Sequence, residues 1–239
     1  MAGFFFQLGK LAGPKVRKAR WILRSLTGSE SEAIQAEYEF GRDLHLAMKQ
    51  ETKTDFDPAM GRWLDEIGDR LRSCVKKRDR RFTFQIFKAD EANAFALPGG
   101  FIWVTESLIQ QCQGNADEIA FILGHEMGHV IRKHAMDRMM TSSMLDMALR
   151  AAPGGVLMRS QFGGVLRELL NKGYSQDQEL DADSLGVRLC RSAGFEAQAA
   201  IQMLERLKNQ AGDDTGINQY FSTHPPFELR IAKINDMLA

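Results

Sequence analysis

The stretch His125-Glu126-Met127-Gly128-His129 has the spacing H-E-x-x-H and decides how the chain folds around it. On an α-helix, residues four apart lie on one face, so both imidazoles can reach a single metal ion. The glutamate between them can then reach a water molecule on that metal. The motif therefore predicts zinc-dependent hydrolysis, and the alternative is a chance match on an ordinary helix.

The sequence around the motif predicts a long, buried helix. Asn115 is a good N-cap, acidic residues follow it, and basic residues occur near the expected end at Ala135. Apolar residues surround the histidines, so we expect burial on more than one side. Buried imidazoles and carboxylates are costly unless a metal satisfies them, which favours the metal-binding interpretation.

A tetrahedral zinc ion needs a further protein ligand beyond two histidines. The metzincin pattern H-E-x-x-H-x-x-G-x-x-H requires glycine at 132 and histidine at 135, where this chain has Arg132 and Ala135. His134 follows His129 by five residues, on a different face of a continuous helix, so we expect it to be exposed.

A later helix offers carboxylates instead. Glu179 and Asp183 are four residues apart, and such like charges repel unless a cation or proton donors lie between them. A zinc ion bound by Glu179 satisfies one, and the Nδ1–H of a zinc-bound histidine satisfies Asp183. The alternative is a solvated acidic face that also includes Asp177 and Asp181.

The remaining pattern predicts an α+β fold that is mostly helical, with a small sheet beside the motif helix. Period-two alternation and a Pro-Gly-Gly turn predict strands over three ranges: 81–88, 92–97 and 101–105. Helices are predicted over 30–50, 57–75 and 105–113, and the chain after 115 is helix or loop. His45 lies among charged residues, so we expect it on the surface.

Four ordered motifs carry a resemblance to a known family. They are the H-E-x-x-H motif, Glu179-x-x-x-Asp183 about fifty residues later, Thr223-His224-Pro225, and Arg230-Ile231. Together they resemble the HtpX-like and CAAX-prenyl-protease family of gluzincin zinc metallopeptidases. The stretch Asn93-Ala94-Phe95-Ala96-Leu97-Pro98-Gly99-Gly100 is similar to that family's active-site edge strand and turn.

The resemblance implies a zincin-like fold with one Zn²⁺ per chain. It implies that His125, His129 and Glu179 bind the metal and that Glu126 is the general base. The substrate peptide would then lie along the edge strand, at Asn93, Ala94, Phe95 and Ala96.

The resemblance also implies roles for two residues near the carboxyl terminus. His224 corresponds to the residue that stabilises the oxyanion of the tetrahedral intermediate, and a histidine beside Pro225-Pro226 suits that task. Arg230 corresponds to a buried arginine that could neutralise Asp183 or its neighbours. The alternatives are a turn histidine and a surface arginine.

These observations predict a zinc endopeptidase that acts on protein or peptide substrates, in protein quality control near a membrane. The alternative is a zinc-stabilised chaperone-like or binding module with weak or no hydrolysis, or a helical scaffold without metal. Glu126 favours the peptidase, since a structural zinc site needs no base. The segment 151–173, with two double-glycine breaks, is expected to be a lid or a variable loop.

Charge is distributed unevenly over the 239 residues. Basic and acidic residues balance at 31 each, but residues 1–28 contain six basic residues and no acidic one, so residues 29–239 carry −6. This predicts a basic amphipathic segment at 1–28 and one peptidase domain at 29–239. The acidic domain argues against nucleic acid as a partner.

The basic segment also contains apolar residues, among them Trp21, Leu23 and Leu26. This composition predicts peripheral contact with an anionic membrane through residues 1–28, and the alternative is a frayed or packed arm. Three widely spaced cysteines do not form a disulfide framework. We expect a cytoplasmic or peripheral membrane location, or a periplasmic one if the start is misassigned.

Overall fold

The computed structural model describes residues 17, 19–52, 57–141, 173–210, 224 and 227–239. Residues 19–27 are helical. The elements that follow are α1 (Glu30–Glu51), α2 (Pro58–Ser73), β1 (Thr83–Phe87), β2 (Ala94–Leu97), β3 (Phe101–Thr105), α3 (Glu106–Gln111), α4 (Ala116–Ile131), α5 (His134–Thr141), α6 (Gln176–Ser192), α7 (Ala199–Gln210) and α8 (Phe227–Leu238). The predicted α+β class, mostly helical with a small sheet, is confirmed.

Helix starts follow from local sequence. Ser29 and Glu32 form a capping box at α1, and Asp57 caps α2, where Pro58 occupies the first turn. The side chain of Asn115 accepts hydrogen bonds from the second and third backbone N–H groups of α4. These caps satisfy N–H groups that have no partner within the helix.

The three strands form a mixed sheet in the order β1-β3-β2. β3 pairs in parallel with β1 and antiparallel with β2, where Leu97 faces Phe101 across the turn. Gly99 and Gly100 have φ values of 79° and 90°, which favour glycine. The tight turn leaves β2 at one edge of the described sheet, packed against α4.

The motif helix lies at the centre of the fold. The buried residues of α4 run without interruption from Glu118 to Val130. α6 packs closely on it, and β2, α2 and α7 surround the rest. The expectation of burial on more than one side is confirmed, and the site is held inside the protein rather than on a surface helix.

Two expectations about histidines are wrong. The motif helix ends at Ile131 instead of continuing to Ala135, because Lys133 adopts a left-handed φ of 63° and α5 starts anew at His134. The break turns His134 inward, and it is buried. His45 is buried too, stacked on Phe101 with ring centroids 4.7 Å apart.

The helical stretch before α1 folds back against α1. The Trp21 ring is buried and stacks on Phe40 at 5.1 Å. Ion pairs join the two helices in antiparallel order: Arg17 with Asp43, Arg20 with Glu39, and Arg24 with Glu32. The expectation that Trp21 lies on a membrane is therefore wrong, because its apolar surface is already buried against Phe40 within the protein.

The rest of the predicted membrane segment, residues 1–16 and 18, lies outside the described residues, as does the predicted lid up to residue 172. Within the described ranges, no helix is both long and apolar enough to cross a bilayer. The division at residue 28 into a segment and a domain stays a prediction.

Candidate metal centre

Glycines let α4 and α6 approach until their backbones touch. A Cβ added to Gly128 would lie 2.9 Å from the carbonyl oxygen of Ala182, and one added to Gly186 would lie 2.9 Å from the backbone nitrogen of His125. Both distances are shorter than any ordinary contact, so larger residues would push the helices apart. This close packing brings the histidines of α4 against the carboxylates of α6.

Four buried side chains converge between these helices: His125, His129, Glu179 and His224. Their potential ligand atoms all lie within 4.8 Å of one another. The Nε2 atoms of His125 and His129 are 2.9 Å apart. The Glu179 carboxylate lies 3.4 Å from Nε2 of His129 and 3.5 Å from Nε2 of His125. The structure thus brings together the three metal ligands expected from the sequence.

The donor set fits a zinc ion. Nitrogen and oxygen ligands at about 2.0–2.2 Å from a tetrahedral zinc lie roughly 3.3–3.6 Å apart, close to the spacings between Glu179 and the two histidines. Two imidazoles and one carboxylate are also the protein ligands of a common catalytic zinc site. The residues present could therefore hold this metal.

Glu126 is a buried carboxylate that points at the same space. Neither of its oxygens accepts a hydrogen bond from the described residues. Nε2 of His224 lies 3.5 Å from Oε1 of Glu126. A buried carboxylate without donors is costly, and a water molecule on a metal between Glu126 and the ligands would satisfy it.

His224 lies directly against the expected metal ligands. Its Nδ1 atom is 3.0 and 3.1 Å from the two oxygens of Glu179 and 3.4 Å from Nε2 of His125. Its backbone carbonyl accepts a hydrogen bond from Arg230. His224 therefore offers a ring nitrogen to the metal-binding group itself, while the oxyanion role stays a prediction.

Asp183 and Arg230 support His125 from outside the ligand group. Nδ1 of His125 lies 2.7 Å from Oδ1 of Asp183, so Nε2 faces the ligand group. Nε and Nη2 of Arg230 each donate to Asp183 at 2.8 Å, and Nη1 lies 3.3 Å from Glu179. All these side chains are fully buried, and this fork geometry fixes both carboxylates.

Two residues at the site were missed by sequence reasoning. Nδ1 of His134 lies 2.9 Å from Nδ1 of His129, and Nε2 of His134 is 3.7 Å from Asp181. The Tyr174 ring stacks on the His129 ring with centroids 3.7 Å apart. The recurrence of histidine at 134 was a usable clue, whereas nothing in the local sequence marks Tyr174.

The expected substrate strand lies at the edge of the sheet, next to α4. The backbone of Asn93 is anchored to Thr105, whose Oγ1 accepts its N–H at 2.9 Å. Ala94 and Ala96 are buried, and Phe95 is partly exposed. Their role in holding a peptide stays a prediction.

Burial and charge shape protonation in the site. Burial lowers the pKa of His129 well below 6.5, which favours the neutral form that binds metals. Burial alone would raise the pKa of Glu179 and of Asp183. The opposing charges of His224, Arg230 and His125 instead lower the pKa of Glu179, and Arg230 with His125 lowers that of Asp183. The pKa of His224 is raised because Glu179 and Glu126 outweigh its burial.

Comparison with known proteins agrees with this geometry. The model of "Peptidase family M48" matches residues 58–238. "Metalloprotease YcaL" of Escherichia coli (strain K12) is 32% identical over 161 residues, 65% of this chain and 62% of that protein. "Mitochondrial metalloendopeptidase OMA1" of Schizosaccharomyces pombe is 25% identical over 94% of this chain and 74% of its own length.

"Beta-barrel assembly-enhancing protease" of Escherichia coli (strain K12) is 28% identical over 189 residues, 74% of this chain. The similarity covers 38% of that protein's length and 62% of YcaL. The chain thus corresponds to part of these two relatives, and the family match over residues 58–238 includes all four side chains that could hold a metal ion.

Proposed function

The chain belongs to peptidase family M48, and from this premise we propose that it is a zinc-dependent endopeptidase. Family membership implies a metal cofactor, and we assign zinc because of the ligand types. His125, His129 and Glu179 would hold the metal, with His224 within reach of it. The similarity covers only part of the length of YcaL and of the β-barrel assembly-enhancing protease. The activity is therefore proposed from the site of this chain and not from the activity of those proteins.

One observation supports the proposal: the buried Glu126 has no hydrogen-bond donor among the described residues, yet it lies 3.5 Å from His224, a member of the group of four side chains that could hold a metal ion. A site that served only to stabilise the fold would gain nothing from such a carboxylate. A general base needs just this placement.

When bound, zinc supplies Lewis acidity that activates water and polarises a peptide carbonyl. Glu126 accepts the proton from the attacking water and delivers it to the leaving amine. Asp183 and Arg230 hold the His125 ring in the orientation that directs Nε2 inward. His224 donates a hydrogen bond to the developing oxyanion.

We propose that the substrate is a protein segment in extended form, bound along Asn93 to Ala96. β2 is an edge strand of the described sheet, and an extended peptide can add to such an edge through backbone hydrogen bonds. Binding of this kind selects few side chains, which suits protein quality control. One relative's name refers to β-barrel assembly, so we place that role near a membrane.

Glu126→Gln is the test. The variant keeps the shape of the side chain but cannot accept a proton, so casein cleavage should fall about 10²–10⁴-fold while the zinc content stays at one per chain. Zinc is measured on the purified protein, and products are mapped by mass spectrometry. Glu66→Gln, at an exposed position on α2, is the matched control and should cleave as wild type.

Equal cleavage by wild type and Glu126→Gln would disprove the role of Glu126. Zinc binding without cleavage by the wild type would instead support the binding-module alternative.

A further inference from the structure

The turn at Gly28-Ser29 brings the end of the N-terminal helical stretch beside the loop that follows α2. Arg24 pairs with Glu32 across this turn at 2.7 Å, and Glu30 pairs with Lys77 of the loop. Leu23 and Leu26, three residues apart on the helical stretch, are 58% and 61% exposed. Two large apolar side chains are therefore exposed on the last turns of the helical stretch that ends beside this loop.

The loop is unusually basic: Lys76-Lys77-Arg78-Asp79-Arg80-Arg81 contains five cations in six residues. It lines a cleft of about 460 Å³. The charged residues of the cleft are five cations and one acid, Arg72, Lys77, Arg78, Arg80, Arg81 and Asp69. We call this the basic cleft.

Acidic neighbours only partly neutralise the basic cleft. Asp69 pairs with Arg72, Glu30 with Lys77, and Glu37 lies 3.4 Å from Arg80. With Asp79 added, the acidic residues number four, and with Lys76 added, the basic residues number six. The region therefore carries a surplus of two positive charges. Lys76 and Arg78 are exposed, so this surplus faces solvent.

Arg80 lines the basic cleft and is a buried cation with unused hydrogen-bond donors. Its side chain is 3% exposed, and only Nη1 approaches Glu37. Nε and Nη2 have no acceptor among the described residues. A guanidinium stays protonated when buried, so it cannot relieve this cost by losing a proton. Oxygens of a phosphate group are the acceptors that such a donor fork fits best.

We propose that Leu23, Leu26 and the basic cleft together bind the surface of an anionic phospholipid bilayer. The leucines enter the boundary between headgroups and acyl chains, and the cations contact lipid phosphates. This inference rests on the proposed role near a membrane and is independent of peptidase chemistry. Trp21 does not take part in this membrane surface, because its ring stacks on Phe40 inside the protein. Arg17, Arg20 and Arg24 do not take part either, because each forms an ion pair with an acidic residue of α1.

Flotation of the full chain tests the proposal, with phosphatidylcholine vesicles that contain or lack phosphatidylglycerol. The wild type should float with the anionic vesicles only. Lys76→Gln/Arg78→Gln should weaken partitioning about thirty-fold, since each Lys or Arg near an anionic membrane contributes roughly fivefold. Leu23→Ser/Leu26→Ser should weaken it by at least about tenfold.

Matched controls lie on helices away from the tested residues. Lys49→Gln/Arg62→Gln also removes one lysine and one arginine, and Lys49 is about 28 Å along α1 from Glu30. Leu46→Ser/Leu229→Ser also removes two exposed leucines, 51% exposed on α1 and 49% exposed on α8. Both controls should float as wild type, and all variants should keep the circular dichroism spectrum and the casein cleavage of the wild type.

Binding to both vesicle types alike, binding to neither, or equal flotation by the loop variant and its control would each overturn the proposal. So would retention of a DNA duplex in a gel shift without vesicle binding, since that result assigns the cations to nucleic acid. Loss of casein cleavage by Glu126→Gln is read from a separate assay, so the two proposals can fail independently.

Discussion

The two histidines of the motif are one helical turn apart and fully buried, yet their outer nitrogens are supported in opposite ways. Nδ1 of His125 meets Asp183, which Arg230 grips with two donors in a fully buried ionic network. Nδ1 of His129 lies 2.9 Å from Nδ1 of His134, whose pKa is lowered by burial, which favours a neutral ring. Behind His134 lies Asp181, which is 40% exposed.

The difference shows that an imidazole can be oriented either by charge or by a neutral ring. With Nε2 of each histidine directed inward, both Nδ1 atoms carry the proton and donate outward. The ionic side is expected to be intolerant of losing one member, because the loss of one partner of a buried ion pair leaves the remaining charge less compensated. The neutral side reaches solvent through Asp181 and is expected to tolerate change better.

Asp183→Ala should give the largest effect. Removing this carboxylate takes away the acceptor of two hydrogen bonds from the fully buried Arg230, which still contacts Glu179, so the free energy of unfolding should fall by about 3–5 kcal/mol. The measurement is urea unfolding of metal-free protein. Asp177→Ala, at an exposed acid in the first turn of the same helix, should cost less than about 1 kcal/mol. If both variants lose the same free energy of unfolding, the ionic network does not stabilise the fold in the way that the comparison requires.

His134→Ala should act on the metal more than on the fold. Loss of the partner of His129 should weaken zinc affinity about 10–100-fold, and His134→Gln, whose amide oxygen can accept the same hydrogen bond, should lose less. Competition with a chromophoric chelator measures both. His45→Ala removes a buried histidine away from the site and should leave zinc affinity unchanged. A loss for His134→Gln as large as for alanine would mean that packing, and not the hydrogen bond, is responsible.

The sequence predicts the ionic side of the site, behind His125, better than the neutral side, behind His129. The spacing of Glu179 and Asp183 on one helix face, together with the motif, was enough to place the carboxylates at the histidines, because periodicity holds within an unbroken helix. The three strands and the Pro-Gly-Gly turn were also predictable. Gly128 and Gly186 are visible in the sequence, but the prediction did not include the close approach of the two helices that these glycines allow.

The neutral side could not be predicted in the same way. No glycine or proline marks the break after Ile131, since Lys133 itself takes the left-handed conformation. Extrapolating the helix across this break placed His134 on the wrong face. Burial of His45 and Trp21 depends on partners distant in sequence, Phe101 and Phe40, which no local pattern reveals.

Acid sensitivity from outside the site must be separated from that of the site histidines. Burial lowers the pKa of His45 to about 4, and Lys49 acts in the same direction. The unfolded chain, with a histidine pKa near 6.5, therefore binds more protons than the folded one between about pH 4 and 6.5. The stability that neutral His45 confers is complete above pH 6.5 and declines as the pH is lowered through this window.

His45→Phe keeps a ring that can stack on Phe101 and removes the titration. Unfolding of metal-free protein at pH 7.5 and 5.5 should show a smaller loss on acidification for the variant than for the wild type. If both lose the same free energy, the acid sensitivity originates at other groups, and the site histidines become the first to examine.

Asp181→Asn should give the smallest effect. It tests whether the charge of Asp181 contributes to the orientation of His134. Asp181 pairs with Arg132 at 3.0 Å and lies 3.7 Å from Nε2 of His134, a distance beyond a direct hydrogen bond. Exposed pairs of this kind contribute about 0.2–1 kcal/mol, so zinc affinity should change by at most about fivefold. A chelator titration beside His134→Ala makes the comparison. A loss as large as that of His134→Ala would show that Asp181 orients His134 by charge, and the two sides of the site would then work in the same way.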